Sequence, residues 1–574
     1  LANQTNTKFD QVALGQGQAP TAVRMIEEGI RDGSWVFLAN CHLMLSWTPT
    51  LEKIIELDMV EKTPHKDFRL WLSSSPNPDF PISILQRGIK MTTEPPKGLR
   101  SNLTTLYNTI GEEQFARCSL QFIYKKLLFA LVWFHAILLE RRKFKSLGFN
   151  IPYDFNESDF AICHDLIIVF LDEYPDRVPF EAMKYLIAEA NYGGRVTDDW
   201  DRRTVNVYIG ELFCDEAVNT EKHMLSDLPE YFIPEDGDLK FYKEAIRALP
   251  QSDHPLAFGQ HPNSDMAASI DDANILLDVL VSLQPRVIKV TDDSAEDPLA
   301  AQCAELLEQT DEPFNVRELR ENMESRSDPD PLKTVLYQEV DRYNLLLKTM
   351  RSNLATIIKV TQGTASTSAE LEEVMVALNT LKVPRTWGKT YPSLKPLGTW
   401  MGDLQIRITF FREWIENTLP VCWWLPCMTY PTGFLTAILQ VSARLNGVSI
   451  DSLSYETPVL QSSDPSTLSG YPKDGVYVSG IFLEGATWNF AGSFLEESRP
   501  MELLSDMPIF HFKPVEGKRK GGKGMYTCPV YMYPFRSGSR ERPSFVVSVE
   551  VRAGRFSSDF WVKRGVALLL STSQ

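Results

Sequence analysis

Residues that could bind phosphate or activate water are scarce in this chain. No GxxxxGK[ST] motif occurs, so the backbone cradle and the lysine that hold the β- and γ-phosphates of a nucleotide are missing. Residues 14–18 contain Gly15 and Gly17 ahead of a predicted helix, but they lack a lysine and a preceding strand of adequate length. We interpret this segment as a turn that enters a helix.

The apolar run at 35–39 predicts a buried strand, and Asn40, Cys41 and His42 follow it directly. In an active P-loop ATPase such a strand ends in acidic residues that hold Mg²⁺ and position water. An amide can neither supply that charge nor act as a general base. We therefore expect a nucleotide-binding fold to be inactive here. Adjacent residues of an extended segment point to opposite sides, which argues against a nucleophile–base pair of Cys41 and His42.

The cysteines and histidines do not form a metal-binding pattern. Only Cys422 and Cys427 lie close together, without a nearby histidine, and no CxxC, HxxxH or HExxH motif occurs. His135 lies in an apolar helical pattern and is predicted to be a packing residue. The pattern predicts reduced thiols, with neither a disulfide framework nor a zinc site. The eight cysteines are Cys41, Cys118, Cys163, Cys214, Cys303, Cys422, Cys427 and Cys528.

Two charge-dense segments leave alternatives open. Residues 191–203 combine turn glycines with acids and arginines. This pattern is typical of a capped turn in which Asp198 and Asp199 open a helix, and the alternative is a salt-bridge patch between modules. The basic, Gly-rich run at 518–523 is typical of a solvated hairpin loop, and the alternative is contact with an acidic partner.

Composition excludes several classes of function. The formal net charge of −17 disfavours binding to nucleic acid or to an anionic membrane. The longest apolar stretch, 127–139, is shorter than the span of about 20 residues that a bilayer needs, so we predict a buried helix. The protein starts at Leu1 without a signal-like leader, and we expect an internal fragment of a longer protein.

Periodicity divides the sequence into regions of different class. Residues 1–100 alternate between helices and strands, which indicates an α/β layer, and a largely helical region follows. An apolar stripe from Leu336 to Ile357 predicts one long helix packed within its domain, and Thr367 with Glu370 predicts a capping box for the next helix. From about residue 420, short β-rich runs between Gly, Pro and Ser turns predict a β-sandwich or small barrel.

Several of these segments resemble axonemal dynein heavy chains. Residues 35–43, 68–74 and 88–100 look like the sixth AAA+ module of that family. Residues 134–136, 140–144 and 148–153 resemble its helical lid, and residues 192–201 look like the axonemal form of that lid. Further segments are similar to the dynein C-terminal domain, namely 393–398, 474–478, 482–486, 526–531 and 561–568. The resemblance runs in order from near residue 12 to residue 570.

The resemblance implies a multidomain α/β + α + β fold. It comprises a partial AAA+ α/β sheet domain, a helical lid, and helices followed by a C-terminal β-barrel. The expected boundaries are 1–100 for the partial large subdomain, 101–250 for the lid, 251–420 for the helical part of the C-terminal domain and 421–574 for the barrel. Ser73 and Ser74 fall where AAA+ proteins carry a nucleotide-sensing group, but that role is not carried over without a phosphate-binding loop.

The implied function is that of a structural and regulatory part of a microtubule motor for ciliary and flagellar beating. No catalytic, cofactor-binding or metal residue is expected in this segment, and ATP and Mg²⁺ belong to other modules of the parent ATPase. The implied partners are the remaining AAA+ modules and linker, other dynein subunits, and microtubules through a distant stalk, in the cytoplasm and the axonemal cytoskeleton. The alternatives are residual nucleotide binding or hydrolysis by the fragment, and a stand-alone scaffold.

Overall fold

A computed structural model describes residues 5, 7–15, 17–58, 63–75, 77, 80–91, 96–283, 298–517, 521–532, 536 and 544–570. The protein divides into two compact units, Leu1–Pro95 and Pro96–Gln574. Residues 518–520 of the predicted basic loop lie outside the described residues, so both interpretations of that loop remain predictions.

The first unit is built on a three-stranded parallel sheet. Its strands are β1 (Phe9–Ala13), β2 (Trp35–Ala39) and β3 (Arg69–Leu72), in that order, and its helices are α1 (Ala19–Asp32), α2 (Thr48–Lys53) and α3 (Ile82–Arg87). The prediction that no adequate strand precedes Gly15 was wrong. The polar segment of β1 carries little strand signal by itself, and it is paired along its whole length with β2.

Two glycines shape helix α1: one ends the helix before β2, and the other lets it pack closely on the sheet. Gly33 adopts a φ of 78° and donates its N–H to the carbonyl of Gly29, a conformation that a glycine reaches without strain. A Cβ on Gly29 would lie 2.7 Å from Val36 and 2.8 Å from Phe68. The helix therefore packs against the sheet at backbone distance.

The second unit begins with a group of helices, here called the first helical group (residues 99–258). Its central helix, α6, is buried on nearly all sides from Leu127 to Leu138, as a helix that is apolar all round requires. By length and composition the stretch 121–148 could cross a membrane, but 78% of its most apolar window is buried inside the protein. The packing agrees with the predicted core helix. The helices are α4 (Leu99–Thr109), α5 (Glu112–Phe115), α6 (Gln121–Glu140), α7 (Lys145–Gly148), α8 (Glu157–Glu173), α9 (Phe180–Lys184), α10 (Asp199–Leu212), α11 (Asp215–Asn219) and α12 (Leu239–Ala248).

Residues 263–570, here called the terminal region, begin with further helices. The predicted stripe forms one face of α16, and its residues Leu336, Val340, Tyr343, Leu347, Met350, Leu354 and Ile357 are all buried. The predicted cap of α17 was one residue early, because Ser368 accepts the N–H of Leu371. The helices are α13 (Asn263–Leu283), α14 (Pro298–Gln309), α15 (Val316–Glu324), α16 (Asp330–Thr361), α17 (Ala369–Asn379), α18 (Arg385–Gly388), α19 (Leu397–Glu416), α20 (Pro431–Asn446) and α21 (Ser558–Arg564).

Among the described residues, the terminal region also contains three open sheets. Their strands are β4 (Cys422–Trp424), β5 (Leu453–Glu456), β6 (Val476–Ser479), β7 (Phe482–Glu484), β8 (Thr487–Asn489), β9 (Phe494–Glu496), β10 (Leu504–Asp506), β11 (Phe510–Glu516), β12 (Met525–Tyr531), β13 (Phe545–Arg552) and β14 (Ala567–Leu569). The strand orders are β10-β7-β14-β12-β13, β4-β6-β11-β5 and β8-β9.

The predicted β-barrel over 421–574 is therefore not supported: among the residues that the structure describes, no sheet closes on itself. Many strands are only three or four residues long, so the sheets have little length over which to curl. Helices cover them instead. Trp423 of β4 packs between Trp414 of α19 and Phe434 of α20, with ring centroids 4.7 Å apart in both pairs.

Candidate functional site

The carboxyl ends of β2 and β3 meet at one edge of the first sheet, where open α/β folds bind ligands. Asn40 has a left-handed backbone, φ 59° and ψ 46°, and donates its N–H to Ser73 Oγ at 3.1 Å. Cys41 donates its N–H to the Ser73 carbonyl at 2.9 Å. The structure thus brings together Asn40 and Ser73, 33 positions apart in the sequence.

This edge is built from neutral groups. Residues 40–46 and 73–75 contain no Asp or Glu, so the two strand ends deliver amide, hydroxyl, thiol and imidazole groups only. Such an edge can donate and accept hydrogen bonds, but its side chains cannot neutralise a divalent cation as carboxylates do. Beside it lies a groove of about 470 Å³ that is lined by Gly17, His42 and residues 43–46.

Cys41 and His42 serve packing and backbone contacts. They open a 3-10 helix, Cys41–Trp47, rather than continuing the extended segment that was predicted. The Cys41 thiol is buried, and burial raises its pKa to about 11, so the reactive thiolate is disfavoured. His42 accepts the N–H of Ser75 through Nδ1 at 3.1 Å. This arrangement orients the loop after β3 and opposes a nucleophilic role for Cys41.

The predicted charge-dense segment 191–203 lies in the first helical group. Asp198 caps α10 by accepting the N–H groups of Trp200 and Asp201, as the capped-turn interpretation predicted. Two ion pairs stay within the group: Arg195–Asp159 at 2.8 Å and Arg202–Glu189 at 3.5 Å.

Asp201 organises the backbone around 150–153. Its buried carboxylate accepts the N–H of Asn150 at 2.9 Å, the N–H of Ile151 at 3.1 Å and the hydroxyl of Tyr153 at 2.9 Å. Burial, with a smaller contribution from the nearby Asp198, raises the pKa of Asp201 to about 6. The three donors oppose that shift, because they stabilise the ionised form.

Asn150 and Arg203, on either side of the Asp201 carboxylate in the sequence, contact the terminal region. Asn150 donates its side-chain N–H to the Tyr531 hydroxyl at 2.7 Å. Arg203 donates to the Thr527 carbonyl at 2.8 Å and to the Tyr526 hydroxyl at 3.1 Å. The contact between the first helical group and the terminal region is therefore made through neutral oxygens here. The salt bridges of the alternative interpretation are not observed for Arg195, Arg202 and Arg203: the ion pairs of the first two stay within the group, and Arg203 bonds neutral oxygens.

Sequence reasoning missed three buried polar residues at or beside this contact. Arg141, Gln260 and Asn263 are buried polar residues, and no pattern separates a buried arginine from a surface one until the neighbours are known. Asn263, the first residue of the terminal region, donates from Nδ2 to the carbonyls of Arg499 and Glu502 within that region, across more than two hundred positions of sequence. Over the described ranges, no group of three or more His, Cys, Asp or Glu residues is placed to hold a metal ion.

Comparison with known families covers nearly the whole sequence. Residues 270–570 match the C-terminal domain of dynein heavy chains, residues 124–264 match their AAA lid domain, and residues 1–92 match their region D6 P-loop domain. These matches confirm the resemblance drawn from the residues. The protein belongs to the dynein heavy chain family.

Similar proteins include axonemal and flagellar heavy chains. The sequence is 52% identical over 569 residues to the dynein-1-beta heavy chain of the flagellar inner arm I1 complex of Chlamydomonas reinhardtii. It is 50% identical over 567 residues to dynein axonemal heavy chain 2 of Mus musculus and of Homo sapiens. Each match covers 98% of the sequence described here but only 12% or 13% of the relative, so the protein spans about an eighth of those relatives.

Proposed function

We propose that this protein is the C-terminal structural and regulatory region of an axonemal dynein heavy chain, a microtubule-based, ATP-driven motor of ciliary and flagellar beating. The order of the three matched families and the names of the relatives support this proposal. The proposed partners are the other AAA+ modules and the linker of the same heavy chain, other dynein subunits, and microtubules through the distant stalk. The proposed location is the axoneme of a cilium or flagellum, and more broadly the cytoplasm and cytoskeleton.

The region itself is proposed to be non-catalytic, and the polar edge of the first sheet carries this part of the proposal. Asn40 lies where an active module would place an acid, and its N–H is held by Ser73 Oγ at 3.1 Å. Without carboxylate charge at residues 40–46 or 73–75, Mg²⁺ and the attacking water lose their usual ligands and base. ATP and Mg²⁺ are assigned to other modules of the parent motor.

The proposed division of the region keeps the boundaries expected from the resemblance and changes the class of the last part. Residues 1–100 are proposed as the partial large subdomain, 101–250 as the lid, 251–420 as the helical part of the C-terminal domain and 421–574 as its β-rich part with open sheets. The division into units at 95 and 96, and the extents of the three matched families, support the order of these parts.

An ATP turnover assay tests the non-catalytic assignment. The wild-type protein, Asn40→Ala and Ser73→Ala are incubated with ATP and Mg²⁺, and phosphate release is measured against EDTA controls. We expect all three to give the same background rate. Magnesium-dependent turnover that is lost on changing Asn40 or Ser73 would overturn the assignment and favour the alternative, residual nucleotide hydrolysis. Binding of a fluorescent ATP analogue in the groove beside His42 reports the weaker alternative, residual nucleotide binding.

A further inference from the structure

Arg141 is fully buried at the contact between the first helical group and the terminal region. Its guanidinium makes five hydrogen bonds, which equals the number of its N–H donors. They run from Nε to the Gly148 carbonyl at 2.7 Å, from Nη1 to the Tyr208 hydroxyl at 2.5 Å and the Phe258 carbonyl at 3.2 Å, and from Nη2 to the carbonyls of Leu147 at 3.3 Å and Lys563 at 2.9 Å.

The four carbonyls share a structural position. Leu147 and Gly148 end α7, Phe258 ends the 3-10 helix Pro255–Phe258, and Lys563 lies in the last turn of α21. The last carbonyls of a helix lack partners within it and carry partial negative charge. Three helix ends therefore converge on one cation, which receives charge compensation from carbonyl dipoles. The rings of Tyr208 and Phe149 lie 5.3 and 5.7 Å from the guanidinium carbon and add to that compensation.

The terminal helix α21 is held at this point by more than one bond. Gln260, also fully buried, donates from Nε2 to the carbonyls of Leu147 at 2.9 Å and Lys563 at 2.7 Å. At Gly565, φ is 69°, and an added Cβ would lie 2.1 Å from the Leu147 carbonyl oxygen. The backbone after α21 thus lies against the end of α7 so closely that no side chain fits at Gly565.

We propose that Arg141 is a positioning residue that couples the first helical group to the terminal region, so that α21 follows any displacement of the group as part of one rigid unit. Four of the five bonds of Arg141 stay within the first helical group, and the fifth crosses to the Lys563 carbonyl, which also accepts from Gln260. Independent movement of the terminal region would break both of these bonds and leave the Lys563 carbonyl and one donor of a fully buried arginine without partners, which is costly in a low-dielectric interior. A lysine cannot replace Arg141, because it offers three donors from one point instead of five in a planar fork.

Hydrogen exchange in the heavy chain that contains this region tests the coupling. The variants are Arg141→Lys, Arg141→Met and the milder Gln260→Met, and the matched control is Arg142→Met, whose side chain pairs with Asp154 at the surface. We expect a loss of protection of about tenfold or more, or ~1.4 kcal/mol, in peptides covering both 143–150 and 558–566. The control should leave both unchanged. Unchanged protection at 558–566 in Arg141→Lys and Gln260→Met would overturn the proposal.

A reciprocal pair approaches the contact from the other side. Gly565→Ala forces α21 away from Leu147, whereas Gly447→Ala introduces the same left-handed strain, φ 65°, at a position with open space around it. If the two regions are coupled, Gly565→Ala deprotects 143–150 as well as 558–566, and Gly447→Ala deprotects neither. Deprotection by Gly565→Ala that stops at 558–566 would show that the helix moves alone, and this result would overturn the coupling.

The motor readout rests on the proposed function, whereas the exchange readout does not. In microtubule gliding driven by the intact heavy chain, Arg141→Lys is expected to change velocity and Arg142→Met to leave it unaltered. Turnover of ATP by the wild-type protein described here would refute the non-catalytic assignment without affecting the exchange results. Unchanged protection at 558–566 in the Arg141→Lys and Gln260→Met variants would refute the inference and leave the assignment standing.

Discussion

Glu339 is buried in the middle of α16 and accepts hydrogen bonds from another element. Oε2 accepts the N–H of Thr429 at 2.8 Å, and Oε1 accepts the N–H of Tyr430 at 3.0 Å. These amides directly precede α20, whose N-cap residue, Tyr430, makes no side-chain cap of its own. The carboxylate thus caps α20 although its two partners lie 90 and 91 positions away in the sequence.

The cost of removing this cap follows from the groups that it satisfies. Depriving a buried amide and a partly buried amide of a charged acceptor costs about 1–3 kcal/mol for each, so Glu339→Ala is expected to lower the free energy of unfolding by about 3 kcal/mol. The ion pair with Arg342, at 3.0 Å, adds little because that arginine is 40% exposed. Glu339→Gln keeps one carbonyl oxygen and should cost roughly half as much.

Urea denaturation followed by tryptophan fluorescence measures the effect. Trp423 reports on this part of the core because its ring packs on Phe434 of α20. Glu321→Ala is the matched control, since Glu321 is 65% exposed in an i,i+4 pair with Arg317, and it should change stability by less than ~0.5 kcal/mol. If Glu339→Ala falls within ~1 kcal/mol of wild type, the proposed capping role is wrong.

Two further predictions concern charge and packing. Since burial raises the pKa of Asp201 to about 6 from its ordinary 3.8, the folded state holds that proton more tightly than the unfolded state. Its contribution to stability is then lost as the pH rises from 3.8 to 6, by about 3 kcal/mol, and Asp201→Asn should remove this slope in thermal melts between pH 4 and 7. Leu347 is fully buried, so Leu347→Ala should lower the free energy of unfolding by about 2–5 kcal/mol. Leu345 is 66% exposed on the same helix, so Leu345→Ala should lower it by less than ~0.5 kcal/mol. Equal urea midpoints for the two variants would contradict the assigned faces of the helix.

The parts of the fold that sequence predicted well are those specified by local pattern. The stripe from Leu336 to Ile357 and the apolar run at 127–139 are observed as buried helices. A helix satisfies its own backbone hydrogen bonds, so its apolar face can be identified without knowledge of its partner. The absence of a P-loop motif and of acids after β2 was equally accessible to sequence, because it depends on residue identity alone.

The predictions that failed depended on partners distant in sequence. Strand β1 is polar and short, and it is recognisable only through its pairing with β2. The barrel was inferred from closely spaced β-rich runs, yet closure is decided by which strands pair, and the five-stranded sheet places β14 between β7 and β12. No local pattern records that order, because each strand can form the same backbone hydrogen bonds with many neighbours.

Sequence by itself determined the family, the region of the heavy chain and the neutral character of the Asn40 edge, because residue identity and motif order carry all three. Tertiary structure alone decided which polar residues matter at the contact between the first helical group and the terminal region. Arg141 and Arg142 are adjacent and chemically identical, yet the first is fully buried and binds five oxygens while the second pairs with Asp154 at the surface. What distinguishes them is burial, which makes each missing hydrogen bond costly for one and inexpensive for the other.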